Sequence, residues 1–94
     1  MIVNIDFTIF SSPVKAHGNV TGKIEVLENH KIGDFFEISN NDFSIKLKII
    51  SINILDQASP AILGLDDVVF SSVEEAEGLV NNLERISNIF FDKY

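Results

Sequence analysis

The chain predicts a mainly β fold: a small closed or partly open β-barrel of five to seven strands, followed by one C-terminal α-helix. Three observations carry this expectation. Apolar and polar residues alternate with period two in successive runs between residues 2 and 55. Clusters of Gly, Pro, Asn and Asp separate those runs and supply turns. After Ser72 the apolar spacing becomes helical.

The first run is Ile2 to Phe10. Val3, Ile5, Phe7 and Ile9 fall on one face and Asn4, Asp6 and Thr8 on the other, as in a half-buried strand. Ser11-Ser12-Pro13 ends it, because Pro cannot donate to a ladder. His17-Gly18-Asn19 reads as a turn. Val20, Gly22, Ile24 and Val26 then share a face, and Gly22 within that strand predicts a bulge or a close backbone approach. Glu28-Asn29-His30 is a loop, Lys31-Ile32-Gly33-Asp34 a turn, and Phe35 to Ile38 a short strand. Asn40-Asn41-Asp42 is the next turn.

From Phe43 the apolar residues sit at odd positions through Ile49. From Ile50 they sit at even positions. A strand cannot change face without an inserted residue or a bend, so a bulge or a sharp coil is predicted near Ile49-Ile50. Ala58-Ser59-Pro60 interrupts the chain. Ala61 to Leu65 and Val68 to Phe70 read as one kinked strand or two short ones. Ser72 and Glu75 make a capping box, with Glu74, Glu75 and Glu77 near the positive end of the helix dipole. Val73, Ala76, Val80, Leu83 and Phe90 recur at helical spacing, widened by Leu79 and Ile86. The reading is one domain over residues 1–94, with the barrel over 1–70 and the helix over 72–91.

Composition narrows the function. The chain has no cysteine, which removes disulfides and thiolate chemistry. The N-terminus lacks a basic region and carries Asp6, so it is a poor signal peptide. No apolar stretch is long enough for a membrane span. A cytoplasmic location is therefore expected. The net charge is −7, and from Asp56 to Glu84 there are seven acidic residues and no basic one. Nucleic-acid binding requires a cationic cluster, and none is visible. A protein partner, basic in character, suits the charge better.

Chemistry-bearing patterns are sparse. His17, His30 and Asp34 match no metal-ligand spacing. Asp66 and Asp67 are neighbours that a strand would point to opposite faces, unlike a cooperating acid–base pair. Nucleophile-elbow and phosphate-loop motifs are missing. No cofactor, metal or catalytic residue is predicted, and the chain is expected not to be an enzyme. The candidate partner-contact residues are Asp66, Asp67, Glu74, Glu75 and Glu77 in the acidic half, and Phe90, Phe91 and Tyr94 in the aromatic tail. A homo-oligomer is a further expectation for that tail.

One stretch carries a family resemblance. Gly18 with Val20-Thr21-Gly22-Lys23-Ile24-Glu25, then Lys31-Ile32-Gly33-Asp34 and Glu37-Ile38, resembles the second, β-barrel domain of translational GTPases such as elongation factor Tu. The similarity extends over about residues 5–80, with the motif confined to 18–38. It implies a translation-protein-like barrel. The GTPase domain is missing, so no GTP hydrolysis is implied, and no functional residue is carried over. The expected function is a non-catalytic binding module acting through protein–protein contacts. The alternative is an acidic inhibitor or immunity-type protein that neutralises a basic partner.

Overall fold

A computed structural model describes residues 1–94. It holds seven strands: β1 (Ile2–Ser12), β2 (Lys15–Glu25), β3 (Phe35–Ser39), β4 (Ser44–Asn53), β5 (Ile62–Leu65), β6 (Val68–Val69) and β7 (Ile89–Lys93). One helix, α1 (Val73–Glu84), lies between β6 and β7. The strands run in the order β3-β4-β5-β1-β2-β7, and β6 pairs with β1 further along from β5. The sheet curls, and because β3 and β7 do not pair it stays a half-barrel with two edges. The partly open form of the expected barrel is the one found. No helix is long and apolar enough to cross a membrane.

The alternation in β1 places Val3, Ile5, Phe7 and Ile9 in the core, each at most 5% exposed. Phe36 and Ile38 of β3, Leu47 and Ile49 of β4, and Leu63 and Leu65 of β5 line the same concave face. α1 closes that face with Ala76, Leu79, Val80 and Leu83. A helix of 12 residues is marginal by itself. Each fully buried Leu or Val contributes about 1.5–3 kcal/mol of transfer free energy, so packing rather than propensity keeps α1 folded. Its start follows the capping expectation: Ser72 Oγ accepts from Glu75 N at 3.2 Å.

Of the two expected devices, a bulge or a sharp coil, the phase change in β4 is a bulge. Ile49 pairs with Leu65 and Ser51 with Gly64, leaving Ile50 without a partner between them. Ile49 is fully buried and Ile50 half-exposed. Gly22 is a site of close approach, since a Cβ there would lie 2.8 Å from the Asn88 carbonyl oxygen. Gly33 adopts a left-handed φ of 97° in the turn before β3, a conformation that favours glycine.

Three expectations need correction. The helix does not reach residue 91. It stops at Glu84, Arg85 caps it, and Ile89–Lys93 forms β7 against β2. Asn88, at a left-handed φ of 66°, redirects the chain, and Ile89, Phe90 and Phe91 are residue types suited to a strand. Val73 is exposed and is not part of the buried helical stripe. The segment His17-Gly18-Asn19 is not a turn. The hairpin turns earlier, at Pro13-Val14, and β2 runs from Lys15. Register shifts leave Ser11 unpaired in β1 and His17 unpaired in β2. These bulged residues are the two buried polar residues of the chain.

Candidate functional site

The expected contact residues fall into separate settings. Asp66 and Asp67 form the exposed link between β5 and β6, where Asp66 N donates to Lys48 O. Glu74 and Glu75 are exposed in the first turn of α1, and Glu75 Oε1 also accepts from Ser72 Oγ. Glu77 is half-buried and faces β2 and β7. Its Oε1 lies 3.1 Å from His17 Nε2 and 3.9 Å from Lys93 Nζ.

The aromatic tail is divided by strand alternation. Phe91 turns inward, packs on the core and stacks on His17 with ring centroids 5.6 Å apart. Phe90 and Tyr94 stay outside, 64% and 71% exposed. The structure thus joins Glu77 and Phe91 through His17, a residue the sequence placed in an exposed turn. The bulge in β2 is what turns His17 inward.

His17 with Glu77 is the only histidine–carboxylate pair at this range. The 3.1 Å separation is short, but Nε2 has no hydrogen-bond partner. None of the three main cavities includes either residue. The cluster ties α1 to β2 and β7, and Tyr94 N adds a bond to His17 O at 3.1 Å. No three His, Asp or Glu side chains gather as a metal-holding group.

The cavities lie elsewhere. One, of about 480 Å³, sits on the convex face above Gly22, between Ile62 and Phe90. Beside it Asn19 Nδ2 donates to Asp6 Oδ1 at 2.8 Å, and Thr8 Oγ1 donates to Asn19 Oδ1. A second, of about 410 Å³, lies between Lys23–Glu25 of β2 and Glu37–Ser39 of β3. A third, of about 360 Å³, opens at one end of the half-barrel among Met1, Val3, Ile52, Ile54 and His30. His30 Nδ1 is buried without a hydrogen-bond partner, and the ring is tilted on Phe36.

Both edges of the sheet carry unpaired backbone, and the register shows where. Tyr94 N donates to His17 O and Lys23 N to Asn88 O. Residues 88, 90, 92 and 94 therefore turn their backbone groups toward β2, and Phe91 and Lys93 turn theirs away. In β3, the bonds Ile49 N to Asp34 O and Asn40 N to Phe43 O set the parity. Phe35, Glu37 and Ser39 consequently present their N–H and C=O groups outward. An exposed ring accompanies each edge, Phe90 on β7 and Phe35 on β3. The sequence singled out the ring of Phe90 but not these edges, because pairing parity depends on contacts distant along the chain. Comparisons with protein families, with characterised proteins and with solved structures return no match.

Proposed function

We propose that the chain is a non-catalytic binding module that works through protein–protein contact at its open sheet edge. The observation that carries this reading is β7: an edge strand with free main-chain groups flanked by the exposed rings of Phe90 and Tyr94. Edge strands in monomeric proteins are normally blunted by charge, proline or a covering element. Large exposed rings at such a place are the side chains that interfaces favour.

The partner is a basic protein. Six of the seven carboxylates between Asp56 and Glu84 are exposed, and Glu77 alone has a lysine or arginine side chain within 4.0 Å. That unneutralised charge also supports the second reading, an inhibitor-type module that captures a cationic target by electrostatic steering. In both readings the barrel residues resembling a translation-factor domain serve as scaffold.

The test is photo-crosslinking in cells. A photoreactive phenylalanine analogue replaces Phe90, Tyr94 or, as a control, the exposed hairpin residue Val14. A discrete protein adduct is expected from positions 90 and 94 and not from 14. Equal labelling at all three positions, or adducts with nucleic acid alone, refutes the reading. An association rate that falls steeply with salt separates the inhibitor reading from a salt-insensitive docking module.

A further inference from the structure

The half-barrel fails to close at one place, and both walls of that gap are unpaired strand edges. One wall is the end of β2. Val26 N donates to Met1 O and the N-terminal ammonium donates to Val26 O, so residue 26 pairs with β1. Residues 23 and 25 therefore direct their backbone groups away from β1. β7 covers β2 only as far as Gly22, with one further bond from Lys23 N to Asn88 O. The Lys23 carbonyl and both backbone groups of Glu25 are left open. The other wall is β3, where Glu37 and Ser39 direct N–H and C=O outward.

These two walls line the cavity of about 410 Å³, which Ile86 to Asn88 close at one end. Ile38 is buried on its β3 side, and Ile24 and Ile86 are half-buried and packed against the core. The side chains at the rim include the carboxylates of Glu25 and Glu37 and the ammonium of Lys23. Following the sheet order, β2 and β3 run in opposite directions. A strand placed between them is antiparallel to one wall and parallel to the other, and both ladders are regular hydrogen-bonding arrangements.

We propose that this seam is a strand-accepting site: an extended segment of a partner protein, apolar where it faces Ile24, Ile38 and Ile86 and basic at its flanks, inserts between β2 and β3 and closes the barrel. Main-chain bonds to Glu25, Glu37 and Ser39 supply affinity, and the apolar floor selects one inward side chain. The basic flanks answer the rim carboxylates and the net charge of −7. The proposal rests on the reading of the chain as a protein-contact module and adds a second contact place beside the β7 edge, with the form of the segment that enters it.

The test uses the full chain and a blocked heptapeptide, Lys-Thr-Val-Thr-Val-Thr-Lys, followed by NMR titration and amide exchange. The expected result is saturable binding with a Kd of about 1 mM or tighter and slowed exchange at Glu25, Glu37 and Ser39. Glu37→Pro removes an outward N–H that the β3–β4 ladder does not use, and an edge strand tolerates proline there. It is expected to weaken binding about tenfold or more relative to Glu37→Ala, which loses the same rim carboxylate and keeps the N–H. Both variants lose the bond that Ser44 Oγ donates to Glu37 Oε2, so the alanine variant controls for it. Should Glu37→Pro not fold, Glu25→Pro probes the opposite wall in the same way.

Peptide binding unchanged by either proline overturns the proposal, as does protection at Phe91 and Lys93 in place of the seam. Absence of binding at millimolar peptide overturns it too. A dimer in sedimentation that protects the same three amides makes the occupant a second copy and overturns the foreign-partner assignment. If the crosslinks at Phe90 persist in any of these cases, the protein-contact reading stands while the seam proposal fails.

Discussion

Gly18 offers a quantitative check of how tightly β7 is seated. A Cβ at this position would lie 2.4 Å from the Asp92 carbonyl oxygen and 2.3 Å from Phe91 Cζ. Restoring an ordinary contact of about 3.4 Å requires the carbonyl to withdraw by about 1 Å. The neighbouring bond from Tyr94 N to His17 O is already 3.1 Å long and would not survive that movement. Phe91 cannot swing aside freely, because it packs on His17 and the core. Overpacking costs about 1–3 kcal/mol, and each ladder bond lost costs about 0.5–1.5 kcal/mol. Gly18→Ala is therefore expected to destabilise by about 3 kcal/mol, lowering Tm by roughly 12–24 °C for a domain of this size.

The control is the same substitution in α1. At Gly78 a Cβ meets nothing within 4 Å, and Gly78→Ala is expected to stabilise by about 0.5–1 kcal/mol. Denaturant melts at a common slope give both values. Amide exchange should speed up first at Phe90 and Asp92, whose N–H groups face β2. A Gly18→Ala protein that melts within about 2 °C of the parent would mean that β7 has room that the close approach denies.

Two further outcomes follow from local hydrogen bonds. Ser72→Ala removes the acceptor for Glu75 N and is expected to cost about 1 kcal/mol in a chemical melt; an unchanged midpoint would mean the cap is dispensable. The Asp56 carboxyl accepts from the backbone N–H groups of Ser59 and Ala58, each at 2.8 Å, and the Ser59 side chain assists. These donors hold its pKa below the usual 3.8. A depressed folded pKa means that the carboxylate supports the 56–59 loop above pH 3.8 and loses that role as pH falls through the lower folded value. Titration of the Asp56 side-chain carbon by NMR should show a midpoint below 3.8, with the Ala58 and Ser59 amides moving together; a midpoint at or above 3.8 contradicts the geometry.

Features governed by neighbours along the chain were legible. Odd-numbered burial in β1, the face change at Ile49-Ile50 and the cap at Ser72 each follow from a spacing of four residues or fewer. Features governed by distant pairing were not. Ile86 and Phe90 continue the helical spacing of Ala76, Val80 and Leu83 by coincidence, and the break at Ser87-Asn88 was the only local sign that a strand would follow. Whether Phe90 or Phe91 faces outward depends on β7 meeting β2, which no periodicity within residues 86–94 reveals. His17 was hidden for the same reason, because its bulge exists only once β1 fixes the register. The seam between β2 and β3 has no sequence signature at all, since it arises from two strands that do not pair.

The register that seats residue 93 against residue 18 also sets an order of assembly. During synthesis the β1–β2 hairpin is complete long before Ile89–Lys93 leaves the ribosome, and so is the unpaired side of β2. Contacts so distant in sequence form late and slowly. Until they form, a nascent chain displays a free β2 edge with Gly18 and Gly22 bare of side chains, open to any other extended strand nearby. The seventh strand is thus the one that shields the second, and a ribosome paused before residue 89 would hold the molecule with that β2 edge uncovered.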